Sequence, residues 1–207
     1  MRRTRRVVTL VVVLAVFASA LLMGACSGSV NIGTSSSPTP AGPVTYTDPD
    51  YGYSITYDGM FTKGTSKDST SAGSGSASDV IFTDENGTVA SDTYLDAIKV
   101  SVYDLARSVK PAEVPDLEKE MQGILDEVLA SQKNAQVVQP LTFVKINGIP
   151  GFATKYTFED LGQQLTIASM FLFKGAHEYQ VSTQSATSRW DELKGKFESA
   201  VQSFTVK

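Results

Sequence analysis

Apolar and polar side chains alternate through Tyr53-Ser54-Ile55-Thr56-Tyr57, the two-residue period of a strand with one buried face. Val80-Ile81-Phe82 is a second apolar run, and Asp84-Glu85-Asn86-Gly87 after it has hairpin-turn chemistry. Ile98, Val100 and Val102 alternate with Lys99 and Ser101, which predicts another half-buried strand. Pro115 marks a helix start, where a missing N–H costs nothing. Leu117, Met121, Ile124, Leu125, Val128 and Leu129 then recur at helical spacing, with Glu118, Glu120, Asp126 and Glu127 elsewhere around the helix.

Four strand-like segments follow: Val137 to Ile146, Phe152 to Phe158, Leu165 to Phe173 and Tyr179 to Thr183. They are separated only by Asn147-Gly148-Ile149-Pro150-Gly151, Asp160-Leu161-Gly162 and Lys174-Gly175-Ala176. Links this short join antiparallel neighbours, because a parallel pair needs a crossover of a dozen or more residues. A final helix carries Trp190, Leu193, Phe197, Ala200, Val201 and Phe204 on one stripe, with Ser188 and Asp191 spaced as a capping box. Ser203 to Lys207 leave it as a short edge segment. The pattern predicts an α+β fold, an antiparallel meander with helices packed on its faces. Phe143, Phe152, Tyr156, Phe158, Phe171, Phe173 and Tyr179 are expected to line a sheet face against Trp190, Phe197 and Phe204. Trp190 is expected at the sheet–helix interface.

The N-terminal pattern differs. Met1-Arg2-Arg3-Thr4-Arg5-Arg6 precedes the apolar run Val7 to Leu22, a basic region and apolar core of the secretory-signal type. The run is about as long as the ~17-residue lower limit for spanning a bilayer, so an uncleaved anchor is the alternative. Met23-Gly24-Ala25-Cys26 decides against it, because it resembles the lipobox of bacterial lipoproteins, with Met23 where Leu is more usual. The resemblance implies cleavage before Cys26 and lipidation of its thiol, the strongest side-chain nucleophile. At ~0.8 kcal/mol for each buried CH₂, two or three acyl chains hold a protein on a membrane. The expected organisation is a signal peptide over 1–25, a Gly/Ser/Pro-rich tether over 26–42 and one domain over 43–207. A low-complexity stretch, Thr62 to Asp79, interrupts that domain as a tolerated loop.

The 207 residues are 42% hydrophobic, a globular share that argues against wholesale disorder and a multispan protein. Without the four arginines of 1–25, 14 basic residues face 22 acidic ones, a net of −8. Such a chain lacks the clustered cations that phosphate backbones require, so no nucleic-acid partner is expected. One His and one Cys cannot supply three or four zinc ligands, and no metal or cofactor is expected. Asp48, Asp50 and Asp58 lack calcium-loop spacing and read as solvated loop acids. Gly73-Ser74-Gly75-Ser76 falls in the low-complexity stretch, where a serine nucleophile has no fixed geometry. His177 reads as a surface histidine in a turn between two strands, with no nucleophile near it in sequence.

Four runs together resemble the PsbP-like fold, which photosystem II PsbP, a yeast Ran-binding protein and many small bacterial lipoproteins share. They are Tyr51-Gly52-Tyr53-Ser54-Ile55-Thr56-Tyr57, Asn147-Gly148-Ile149-Pro150-Gly151-Phe152-Ala153-Thr154-Lys155-Tyr156, the segment Phe171 to Val181, and the closing helix with Trp190 and Ser203-Phe204. The likeness spans about Tyr46 to Val206 and implies an α-β-α sandwich. Members often carry Pro and Trp after the opening strand, where this chain has Asp58-Gly59-Met60-Phe61. No metal-binding or photosystem-docking residue carries over. The resemblance implies scaffold, binding or assembly roles. Together these readings give a lipid-anchored, non-catalytic binding or assembly module on the extracytoplasmic side of the cell membrane. Its expected partner is an envelope protein or a lipid-like ligand. The alternative is an envelope hydrolase using paired carboxylates, which leave no local motif.

Overall fold

The structure is a computed structural model that describes residues 42–64 and 76–207. β1 (Val44–Thr47), β2 (Tyr53–Tyr57) and β11 (Thr205–Val206) form a three-stranded sheet with β2 in the middle. A six-stranded sheet runs β3-β4-β7-β10-β9-β8, built from β3 (Thr62–Lys63), β4 (Ser78–Thr83), β7 (Ala97–Val109), β8 (Lys133–Ile146), β9 (Ile149–Asp160) and β10 (Gln163–Ala186). β5 (Val89–Ala90) and β6 (Thr93–Tyr94) make a small ribbon between β4 and β7. Every strand pairing is antiparallel. The α+β fold expected from the pattern is therefore the one observed, and the edge segment after the last helix is β11.

β10 is a doubled strand. Extended at ~3.3 Å per residue, Ser169 and Ser182 would lie about 43 Å apart. Their hydroxyls meet at 2.9 Å, and Thr183 Oγ1 reaches the carbonyl of Ala168 at 3.4 Å. The chain therefore reverses near Gly175, whose φ of +64° suits the first position of a tight hairpin turn. One arm pairs with β9 and the other with β7. β8 and β9 are joined just as tightly, with Ile146 opposite Ile149 across Asn147-Gly148, so Pro150 and Gly151 already lie in the strand. Gly151 must be glycine because of a close approach. A Cβ there would sit 2.0 Å from the carbonyl oxygen of Phe171.

Both faces of the large sheet are covered. On one side α2 (Trp190–Ser203) inserts Leu193, Phe197, Ala200 and Val201 among Val80, Phe82, Ile98, Val100, Val102, Tyr179 and Val181, and the three-stranded sheet completes this layer through Tyr53 and Ile55. On the other, the 3₁₀ turn Pro111–Leu117 and α1 (Glu118–Ser131) bring Val114, Leu117, Met121, Leu125 and Val128 onto Phe152, Tyr156, Phe158, Leu165, Phe171 and Phe173. The aromatics expected under the last helix are thus divided. Five belong to the α1 layer, Tyr179 stays with Phe197 and Phe204, and Phe143 is 48% exposed. The α1 start also differs from expectation, since Pro115 lies inside the 3₁₀ turn and the α-helix begins at Glu118. Ser188 and Asp191 do not form a capping box; Arg189 is the N-cap of α2 and no side chain caps it.

Arg189 has another task. Its Nη1 donates to Asp84 Oδ2 at 3.1 Å and Asp96 Oδ2 at 2.5 Å, both acids being almost fully buried. Asp96 also accepts from the Thr88 and Ala186 amides, at 2.7 and 3.1 Å. Nε and Nη2 grip Glu192. The cluster ties the β4–β7 connection to the start of α2. Gly87 passes so close that a Cβ would lie 2.5 Å from Asp96 Oδ2. Asp84-Glu85-Asn86-Gly87 is a turn as expected, but the ribbon β5–β6 follows it before β7 begins, and Ser91 and Asp92 at φ 48° and 62° form the ribbon's tip.

Two stability predictions follow from these contacts. Arg189→Met leaves two buried carboxylates unpaired and should cost about 3–5 kcal/mol in urea unfolding, the range for breaking a buried ion pair from one side. Trp190 is only half-buried, its ring 5.5 Å from Phe197 and 5.7 Å from Lys155 Nζ. Trp190→Ala should cost about 2 kcal/mol, clearly less than Phe197→Ala at about 3–5 kcal/mol. Equal losses would show that the indole is a core residue.

Candidate functional site

Cys26, the signal segment and the tether lie outside the described residues, as does most of the Gly/Ser-rich stretch; its Ser76 donates to Asp79 Oδ2 at 2.6 Å. Asp48 is not a solvated loop acid. It is buried and closes the turn before β2, accepting from the Asp50 and Tyr51 amides at 3.0 and 2.7 Å and from the Tyr46 hydroxyl at 3.2 Å. Asp58 accepts from the Met60 amide and pairs with Lys196 at 3.2 Å. Among the described residues, no three His, Cys, Asp or Glu side chains gather as a metal site would require. His177 sits just past the β10 reversal. Its Nδ1 is 2.9 Å from Asp104 Oδ1, and its ring meets the edge of Tyr51 at 5.4 Å.

The carboxylates that do converge, Asp84 and Asp96, share the Arg189 guanidinium. A general acid and base need free oxygens facing a substrate. These oxygens face Arg189 and backbone amides instead.

The unusual chemistry lies on the α1-side face of β4, β7 and β10. Cross-strand partners share a face, so the register stacks Glu178 beside Tyr103, then Gln180, Ser101 and Asp79, then Ser182, Lys99 and Ile81. This is a polar stripe in a covered layer. Glu178 and Tyr103 have relative exposures of 0% and 6%, and Gln180 and Ser101 of 6% and 1%. Neither Glu178 oxygen has a hydrogen-bond partner, and neither does Gln180 Oε1. Burial alone pushes the Glu178 carboxyl up to about 7. Tyr103 is raised to about 12, chiefly by burial and then by the negative charges of Asp79 and Glu178. A buried carboxyl raised by desolvation and left without a partner is a candidate functional position.

Sequence reasoning missed Glu178 because Glu178-Tyr179-Gln180-Val181 alternates as a strand with one solvated face does. The one available signal was that β7 carries the matching polar rungs Lys99, Ser101 and Tyr103, which makes the stripe continuous across two strands.

The second candidate feature is β8, the outermost strand of the large sheet. Val137, Val138 and Phe143 are 46%, 52% and 48% exposed along it. Pro140 and three breaks in its register with β9 blunt the edge against indiscriminate pairing.

The chain shares its fold with the solution structure of cyanobacterial PsbP (CyanoP) from Synechocystis sp. PCC 6803, at a TM-score of 0.53 and 16% identity, over 85% of this chain and 99% of that one. A crystal structure from Bacteroides thetaiotaomicron gives 0.50 at 12% identity, over 80% of this chain and 48% of that one. LpqN, described as involved in cell envelope biogenesis of Mycobacterium tuberculosis, gives 0.48 at 11% identity, over 82% and 86%. No curated protein matches the chain. The family described as PsbP matches residues 41–206, from just before β1 to the end of β11. With the two-layered cover of one antiparallel sheet, this places the chain in the PsbP family.

Proposed function

We propose that this PsbP-family protein is a lipid-anchored, non-catalytic binding or assembly module, held by Cys26 on the extracytoplasmic face of the cell membrane. The observation that carries the reading is the order of parts: a lipobox cysteine, a Ser/Gly/Pro-rich tether, then the family domain. A lipid on Cys26 and a linker of small polar residues and proline would hold the domain near the membrane. The fold supports binding through β8, where three half-exposed apolar side chains lie along a strand edge. An envelope protein is the partner this surface suits, because a strand edge offers backbone hydrogen bonds as well as side chains.

Two outcomes test the reading. Cys26→Ala should move the protein out of the membrane fraction or leave its precursor uncleaved. Mature, membrane-bound protein with an unmodified thiol, read by mass spectrometry, would contradict it. A photo-crosslinking side chain at Val138 should capture an envelope protein in intact cells. The same probe at exposed Glu120 on α1 should not. Capture of lipid alone at Val138 would replace the protein partner with a lipid-like one.

A further inference from the structure

Glu178 sits where a folded protein has least reason to keep an acid. It is fully buried, both its oxygens lack partners, and it shares its face with the aromatic layer under α1. Burial, rather than neighbouring charge, opposes its ionisation. Tyr103 on β7 stands opposite, and Asp79 on β4 lies one rung away. Lys99 on this face lies two rungs from Glu178 and is 3.4 Å from Asp79 Oδ1. The Pro111–Leu117 turn packs against β9 and β10, its Val114 and Leu117 entering the layer while half-buried Glu113 pairs with Arg107.

We propose that Glu178 is a proton-operated latch: as the neutral acid it lets the Pro111–Leu117 turn and α1 close over the sheet, and on losing its proton it loosens that cover. An unpartnered carboxylate cannot remain in an apolar layer without a large desolvation cost. The remedy is to admit water. The cover beside it is the part of the α1 layer that can yield most easily, since a 3₁₀ turn has poorer hydrogen-bond geometry than an α-helix. The two arms of β10 and their neighbours stay paired while the outer layer lifts.

The sign follows from the raised value. Between 4.5, the ordinary value, and about 7, the folded protein keeps a proton that the unfolded chain has released. Stability from this group is therefore complete below about 4.5 and is lost as pH rises through about 7. The test is urea unfolding of the wild-type domain and Glu178→Gln, the neutral isostere, from pH 5 to pH 9. The wild-type folding equilibrium should fall, relative to the variant, by nearly tenfold per pH unit between the ordinary value of 4.5 and the folded value of about 7, and level off above it. Parallel profiles would overturn the latch. If Glu178→Gln does not fold, carbon NMR of the wild-type carboxyl decides. Titration near the ordinary value overturns the proposal, and a midpoint more than one pH unit higher supports it. Loosening is read separately, by amide hydrogen exchange of Val114 to Leu125 at pH 8. Faster exchange in the wild type than in Glu178→Gln supports the latch, and equal exchange overturns it.

Discussion

Two-sided burial of the six-stranded sheet governs the rest of this structure. A sheet with one wet face needs apolar residues at alternate positions only, but β7 and the two arms of β10 are covered on both faces. Their side chains must satisfy an α2 layer and an α1 layer at once. The reversal at Gly175 makes this possible with one segment. It places Phe171 and Phe173 under α1 and Tyr179 and Val181 under α2, with both arms paired at the centre. At ~25 cal/mol per Å² of apolar surface, such paired layers supply most of the stabilisation, and any polar group at the centre works against it. Ser169 and Ser182 answer that by bonding each other, while Thr154 donates to the Gln139 carbonyl at 3.0 Å. The Glu178 carboxyl and the Gln180 Oε1 do not.

The ends of the sandwich are closed by polar contacts between distant segments. Asp84, Asp96 and Arg189 bring the β4–β7 connection to the start of α2, and Asn147 donates to the Gln202 and Phe204 carbonyls at 2.8 and 2.9 Å at its finish. Each contact satisfies a backbone or charged group that would otherwise be stranded at a helix end. α2 is therefore fixed at both termini, which explains how a helix without a side-chain N-cap holds its place.

Periodicity made the elements legible and left their partners unread. The strands at 53–57, 80–82 and 98–102, both helical stripes and the β10 turn follow from local pattern, because strand and helix periods are properties of neighbouring residues. Which layer an aromatic joins is not local. Phe171 and Tyr179 alternate alike, and only the reversal between them sends one to α1 and the other to α2. The Arg189 cluster joins residues 93 and 105 positions apart, so no window of sequence contains it. Asp48 was misread and Glu178 passed over for one shared reason. Polarity in a sequence reports what a residue would prefer, whereas burial depends on what the rest of the chain lays over it.

The likeness to CyanoP at 16% identity is a likeness of fold, and a fold hosts many functions through different surfaces. The surface this chain offers is a small apolar edge on β8. Three half-exposed side chains on β8 bury far less than the ~1,600 Å² of a standard stable interface. In dilute solution such contacts give weak association. Under the lipid-anchor reading, the domain meets its partner within the short reach of its tether, and effective concentrations in the millimolar range follow from confinement alone. A weak edge then suffices for occupancy, and weakness keeps the partner exchangeable. Under the same reading, confinement also raises the encounter of like copies, and Pro140 and the irregular β8 register blunt edge-to-edge pairing between them.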